Sequence, residues 1–248
     1  ANDNDLDGDS LSVNTTPVSN VSNGTLILNS DGTFSYTPNL NFNGTDSFVY
    51  EVSDGVNSAQ ATVTINVNAV EDAPTISGSD TANVAEDGVL GAAGTLNASD
   101  VDAGDLPTFS VQNINSPLGS FAIDAAGNWT YNLDNAAAQS LAAGETATET
   151  FTVTASTADG ESVNHVVTVQ IAGSEDAPVI TGSSSAAVAE DGVQTAAGVL
   201  LASDADAADT PLFTAQTSNS PYGAFAIDAA GNWSYNLDNA AAQSLAAG

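Results

Sequence analysis

Lysine and arginine are both absent from the 248 residues, as are cysteine and methionine, and histidine occurs once. Against these absences stand 31 Asp and Glu, for a formal net charge of −31. No carboxylate can therefore pair with Lys or Arg, and whatever neutralises the acids must arrive from outside as metal ions or salt. Phosphate backbones and anionic lipid are bound through Lys and Arg, which excludes nucleic acid and membrane surfaces as partners. A P-loop lysine, an arginine finger and a Schiff-base lysine are excluded with them. Without Cys there is no disulfide, thiol chemistry or thiolate metal site. No apolar run approaches the roughly 18 residues of a membrane span, and no signal-peptide pattern is visible. The missing initiator Met suggests an interior piece of a longer chain.

Leu, Ile, Val and Phe make up about 22% of the residues, just above the ~20% below which a highly charged chain is disordered. Charged residues are 12% of the total, against a usual ~25%. The reading is a folded but marginal chain with an acidic surface, whose folding cations would assist.

Self-comparison shows how the chain is built. EDAP occurs at 71–74 and 175–178, AEDGV at 85–89 and 189–193, and FAIDAAGNW-x-YNLDNAAAQSLAAG at 121–144 and 225–248. Every pair is offset by 104 without a gap, and 54 of the 74 positions in 71–144 recur identically in 175–248. A unit of this length is the size of one β-sandwich domain. GTLILNSDGTFSYTPN (24–39) aligns with GSFAIDAAGNWTYNLD (119–134), making the first 70 residues a diverged member. Three domains are expected: 1–70, truncated at its N-terminal side; 71–174, complete; and 175–248, truncated at its C-terminal side.

Period-two alternation sets the strands of the middle unit. Phe109 and Val111 alternate, as do Phe121 and Ile123, then Trp129, Tyr131 and Leu133, then Phe151, Val153 and Ala155, then Val167, Val169 and Ile171. Weaker strands are expected near 75–86 and 94–99. Ala126-Gly127-Asn128 and Asp31-Gly32 read as hairpin turns. The fold class is all-β: tandem immunoglobulin-like, seven-strand sandwiches in a linear array. A helix is expected over 135–143, capped by Asp134 and stopped by Gly144. Trp129 and Trp233 are assigned to the core, and His165 to the solvent side of its strand.

Strand parity then places the acids. The loop 98–105, Asp159-Gly160 and the linker Glu71-Asp72-Ala73-Pro74 share the leading end of the middle unit. Glu86, Asp87 and Asp134 share its trailing end, where they meet Glu175-Asp176-Ala177-Pro178 and the next loop with Asp204, Asp206 and Asp209. Carboxylates converging in this way repel unless a hard cation takes them as ligands. Ca²⁺ accepts six to eight oxygens in loose geometry, whereas Zn²⁺ or a redox metal would want His or Cys.

VAEDG (84–88), ASDVDAGD (98–105), NLD (132–134), TADG (157–160) and EDAP, in that order, resemble the motifs of cadherin repeats. The match to bacterial VCBS-type repeats is closer still over the second and third units. The first unit, with NDNDLDGDSL and NFNGTDSFVYEVSDG, resembles the related bacterial cadherin-like repeat. The resemblance implies long arrays in secreted RTX and biofilm-type adhesins, with Ca²⁺ at domain junctions, a rigid stalk and a bacterial cell-surface location. Carried onto this sequence, it makes Asp5, Asp7, Asp54, Glu71, Asp72, Glu86, Asp100, Asp102, Asp134, Asp159, Glu175, Asp176, Glu190, Asp204 and Asp206 the candidate metal ligands. One departure is Ala136, where cadherins carry a second acid, which argues for fewer or weaker ions.

A Ser–His–Asp set would have to use His165, which the first and third units do not repeat. Two carboxylates suffice for a glycosidase, but acids recurring at matching domain ends suit structure better than one unique site. The expectation is a non-enzymatic, Ca²⁺-stiffened extender or adhesive segment. Its partners are the neighbouring repeats and a host or biofilm surface or glycan, with no obligate oligomer. The alternative is a carbohydrate-binding accessory module of a secreted enzyme.

Overall fold

The computed structural model describes residues 3, 5, 6, 8–102 and 104–245. The chain falls into two compact units. The first is Ala1–Thr75, Ala98–Pro107 and Ser156–Val163; the second is Ile76–Asn97, Thr108–Ala155 and Asn164–Gly248.

The first unit contains β1 (Ser12–Val13), β2 (Gly24–Leu28), β3 (Phe34–Pro38), β4 (Gly44–Ser53) and β5 (Ser58–Val67). β1, β4 and β5 form one sheet, and β2 and β3 pair as a separate hairpin. Its turn runs through Asp31-Gly32: Gly32 takes φ +83°, and Asp31 Oδ1 accepts from Thr33 N at 3.0 Å. A residue with positive φ at a two-strand connection is why Gly stands there. Val13, Leu28 and Phe48 form the core between the two layers, with Phe34 set edge-on to Phe48 at 5.2 Å. Beneath this core Asp46 is a buried carboxylate that neutral groups satisfy. It accepts from Ser22 N (3.0 Å), Asn23 N (2.8 Å) and Ser47 N (2.9 Å), and from the Tyr36 hydroxyl (3.0 Å).

The second unit holds most of residues 75–172 and all of 175–245. Over 75–172 the strands are β6 (Thr75–Gly78), β7 (Thr81–Ala85), β8 (Gly91–Ser99), β9 (Thr108–Phe109), β10 (Gln112–Asn115), β11 (Gly119–Ile123), β12 (Asn128–Leu133), β13 (Thr146–Ser156) and β14 (Ser162–Ala172). They make a five-stranded sheet, β10-β11-β12-β8-β6, and a four-stranded sheet, β7-β14-β13-β9. The core is built from the residues that alternate inward, and its aromatics stack: Phe121 lies on Phe151 at 4.4 Å and on Trp129 at 6.0 Å. Trp129 has room because position 94 is Gly; a Cβ there would come within 2.6 Å of the indole. The indole nitrogen donates to Ser79 O at 2.7 Å. Glu149 plays the part of Asp46: Oε2 accepts from Tyr131 OH (2.7 Å) and Ser116 Oγ (2.6 Å), and Oε1 from Leu118 N (3.0 Å).

Two of the seven expected strands are each split between the sheets. The first breaks at Gly78, φ +122°, packed so closely on Thr95 O that no side chain fits. The chain turns there and crosses from β6 to β7. The second breaks at 110–111, which leaves Val111 66% exposed instead of on the core side with Phe109. The helix is α1 (Asn135–Ala138), shorter than the 135–143 expected. Its continuation is taken by contact with Gly173, which packs on Leu141 O and donates to Glu145 O at 2.9 Å. His165 shares the parity of Val167 and is only partly exposed; its Nε2 lies 3.1 Å from Asp80 Oδ2.

Residues 175–245 carry β15 (Val179–Gly182), β16 (Thr195–Ser203), β17 (Gln216–Ser220), β18 (Gly223–Ile227), β19 (Asn232–Leu237) and α2 (Asn239–Ala242). The strand order β15-β16-β19-β18-β17 repeats the five-stranded sheet position for position.

Truncating the centre of the aromatic stack, Phe121→Ala, is expected to cost about 3–5 kcal/mol, read as a lowered denaturation midpoint. For Asp46 the expectation concerns pH. The backbone donations from Ser22, Asn23 and Ser47 and the Tyr36 hydroxyl outweigh burial and hold its carboxyl below the ordinary 3.8. A lowered folded-state value contributes stability above the unfolded value and loses it as pH falls through the folded one. Asp46→Asn should therefore melt lower than wild type at pH 7, and the gap should close below pH 3.8. A gap independent of pH would contradict this.

Candidate metal centres

In the first unit, acids from three stretches of chain converge. The loop after β8 folds on itself: Asp100 Oδ1 accepts from Asp102 N at 2.9 Å, and Asp105 N donates to Asp102 O at 3.2 Å. The linker joins it through Asp72 N, which donates to Asp102 Oδ2 at 2.6 Å. Carboxylate oxygens of Glu71, Asp105 and Asp159 lie within 4.8 Å of one another, and so do those of Asp100, Asp102 and Asp105. Asp100 Oδ2 is buried with no hydrogen-bond partner. Burial, then Asp102, Asp105, Asp159 and Glu161, raise Glu71 above the usual carboxylate range. Burial and Asp159 do the same to Asp105.

The second unit repeats this arrangement 104 residues on. Asp206 N donates to Asp204 Oδ1 at 3.1 Å, and Asp176 N to Asp206 Oδ2 at 2.9 Å. Oxygens of Glu175, Asp206 and Asp209 lie within 4.8 Å of one another. Here Glu86, Asp87, Asn135, Ser140 and Ser174 of the same unit add to the site. Ala207 N donates to Ser140 O at 3.2 Å, which ties the loop to the turn after α1. Glu86, following β7, is 2% exposed, and its Oε1 accepts from Ser174 N at 2.6 Å. Asp87 accepts from Asn135 Nδ2 at 2.7 Å. Burial, then the charges of Asp176, Asp206 and Asp87, push Glu86 upward against the donation from Ser174. Asp176 is raised by burial and by Asp87, and Glu175 chiefly by Asp209. Three oxygens here are buried and unpartnered: Glu86 Oε2, Asp176 Oδ2 and Asp206 Oδ1.

Of the expected ligands, Glu71, Asp72, Asp100, Asp102 and Asp159 come together in the first unit, and Glu86, Glu175, Asp176, Asp204 and Asp206 in the second. Asp134 stands apart as the cap of α1, accepting from Ala136 N at 3.1 Å. Glu190, the counterpart of Glu86, is exposed. Asp5 and Asp54 line one groove with Asp3, and Asp54 is already engaged by Val56 N and Asn57 N at 2.6 Å each. Asp7 lies outside the described residues. Asp105 and Asp209 belong to the clusters; the sequence placed both in the converging loops but not among the candidate ligands. The signal was present, since both are the third acid of a D-x-D-x-x-D run that recurs at the 104-residue offset.

Every donor in both clusters is oxygen, and the one His of the chain, which faces Asp80, is a member of neither. Such a set suits a hard cation such as Ca²⁺ and not a metal that wants imidazole or thiolate. Buried carboxylate oxygens that no N–H reaches are costly unless something positive meets them.

Residues 1–69 and 71–173 match the family model described as bacterial cadherin-like domain, and residues 175–245 match that described as bacterial Ig domain. No curated protein matches. Among solved structures, extracellular cadherin domains 3–6 of protocadherin gamma B2 are similar at a TM-score of 0.50 and 13% identity, over 92% of this chain and 57% of that one. Mouse protocadherin-24 domains 1–3 are similar at 0.42 and 18% identity, over 94% and 79%. The chain thus spans little more than half of the gamma B2 fragment, and the likeness extends to the fold alone.

Like charges gathered without a counter-ion are relieved by screening. With a chelator present, raising NaCl from about 10 mM to 150 mM shortens the Debye length from ~30 to ~8 Å. The melting temperature should rise over that range. A flat or falling profile would show that the clusters do not strain the metal-free fold.

Proposed function

Because the chain belongs to the bacterial cadherin-like domain family, we propose that it is a Ca²⁺-stiffened extender or adhesive segment of a large bacterial cell-surface adhesin. The carrying observation is the set of buried, donor-less carboxylate oxygens on Glu86, Asp176 and Asp206, inside an all-oxygen cluster in the second unit. Glu86, Asp87, Glu175, Asp176, Asp204, Asp206 and Asp209 would hold Ca²⁺ there. Glu71, Asp72, Asp100, Asp102, Asp105 and Asp159 would do so in the first unit. Ca²⁺ would supply the positive charge that the sequence omits. The protein's own part is mechanical: backbone donations from Asp72 to Asp102 and from Asp176 to Asp206 draw each linker onto the acidic loop that follows it.

The role is non-catalytic and the setting extracellular, where Ca²⁺ modules work at dissociation constants of roughly 10⁻⁴–10⁻³ M. No helix among the described residues is long and apolar enough to cross a membrane. A carbohydrate-binding module would want an exposed aromatic platform, and both Trp side chains are buried in their sheets.

Each site at about ten times its dissociation constant adds about 1.4 kcal/mol. Ca²⁺ at a few millimolar should therefore raise the melting temperature and lower the scattering-derived radius spread relative to EDTA, with Mg²⁺ much less effective. Asp206→Asn should remove the larger part of the Ca²⁺ gain. Melting and small-angle scattering identical in Ca²⁺ and EDTA would refute the reading.

A further inference from the structure

The turn that follows β7 is built around a backbone conformation that residues other than Gly rarely adopt. Asp87 takes φ +51°, and 104 residues on Asp191 takes φ +50°. Such residues persist only where their surroundings hold them. The holding groups here are side-chain amides. Asn135 Oδ1 accepts from Asp87 N at 2.8 Å, and Asn135 Nδ2 donates to Asp87 Oδ1 at 2.7 Å. Gln139 Nε2 donates to the same oxygen at 3.3 Å. Asn135 opens α1 and Gln139 is its C-cap, a spacing that puts both on one face of the helix. We propose that Asn135 and Gln139 are positioning residues for the cation site of the second unit, an amide latch that sets the Glu86-Asp87 turn with no cation bound. This role rests on the Ca²⁺ reading of that site.

Three observations assign it. First, the turn has bonds of its own: Ala85 N donates to Val89 O at 2.9 Å, and Gly88 N to Ala85 O at 3.3 Å. The amides add nothing to those bonds and act on Asp87 alone, fixing its backbone and its carboxylate together. Second, the carboxylate so held belongs to the cluster. Burial and then the charge of Asp87 lift Asp176 above the usual carboxylate range, and Glu86 Oε2 and Asp176 Oδ2 are buried with no donor. Like charges gathered in this way repel. A chain without Lys or Arg has only neutral donors to hold them before a cation arrives, and ligands held in place beforehand cost less ordering on binding.

Third, the latch stands without the second sheet. Residues 185–189 form no strand and Glu190 is exposed. Even so, Asn239 Oδ1 accepts from Asp191 N and Asn239 Nδ2 donates to Asp191 Oδ1, at 3.0 Å each. Gln243 bonds to the Asp191 side chain as Gln139 does to Asp87. The latch therefore needs neither the pairing of β7 with β14 nor a gathered cluster.

The test uses the 248-residue chain and Asn135→Ala, with Asn239→Ala as its matched control. In EDTA, amide exchange read by NMR should be at least about 10-fold faster at Asp87 in Asn135→Ala, with Val153 and Val169 in the core unchanged. Asn239→Ala should do the same at Asp191. In Ca²⁺ titrations followed on the amide signals of Asp176 and Asp206, Asn135→Ala should weaken binding about 2–10-fold, the worth of one hydrogen bond. The signals of Asp72 and Asp102, which report the first unit's cluster, should titrate as in wild type. Asn239→Ala should leave both affinities unchanged. Gln139→Ala should act in the same direction as Asn135→Ala and less strongly, and it carries both readouts if Asn135→Ala does not fold. Unchanged exchange at Asp87 overturns the latch. Faster exchange with unchanged Ca²⁺ affinity makes Asn135 a turn-holding residue only and overturns the positioning role. Wild-type signals that ignore Ca²⁺ refute the Ca²⁺ reading and the positioning role with it, while exchange in EDTA still reports the latch.

Discussion

A chain with 31 carboxylates and no Lys or Arg must meet every buried negative charge with neutral donors or leave it to the surroundings. Both solutions occur, and they sort the acids by role. Asp46 and Glu149 are each surrounded by backbone N–H groups and hydroxyls, so they act as rivets inside their sandwiches. Asp124 and Asp228 close the same hairpin turn 104 residues apart, each accepting from the Ala and Asn that follow. Glu86, Asp100, Asp176 and Asp206 retain buried oxygens that no donor reaches. Composition alone treats all of these acids alike; hydrogen-bond accounting separates those that hold the fold from those that strain it.

Much of the architecture was legible because alternation and the 104-residue repeat are strong signals. The stack of Phe121, Trp129 and Phe151 and the hairpin turns at Asp31 and Ala126 all follow from a two-residue period and Gly placement. The strand breaks at Gly78 and Ser110 were not legible. A strand that changes sheets keeps its alternation on both sides of the break, and only the close approach of Gly78 to Thr95 O marks the crossing. The helix fell short for a similar reason: AAAQSLAA has the propensity for at least one more turn, but the contact with Gly173 is tertiary. His165 was misplaced by parity, since it shares the face of Val167.

The acidic loops were legible as groups but not as a choice of members. Spacing identified D-x-D and the linker acids, and geometry promoted Asp105 and Asp209 from loop members to members of the oxygen clusters. Asp134 has a structural use of its own. It sits where the cadherin pattern places an acid, yet its carboxylate is engaged by the first turn of α1. Without a second acid at Ala136, that position has one carboxylate and an intramolecular use for it.

The acid cluster and the completeness of the sandwich are one problem, not two. Glu86 reaches its cluster because β7 is held by β14: Glu86 N donates to Ala172 O at 3.2 Å, and Ser174, two residues on, donates back to Oε1 at 2.6 Å. One parallel strand pair thus delivers the buried Glu and, through Ser174, the linker acids Glu175 and Asp176 to the same place. Over 175–245 the neighbouring Asp191 keeps the paired bonds to Asn239 that Asp87 makes to Asn135, at 3.0 Å each. There, 185–189 form no strand and Glu190 is exposed. A cation site of this kind is therefore assembled by the second sheet: the pairing of β7 with β14 is what places Glu86 beside the linker acids.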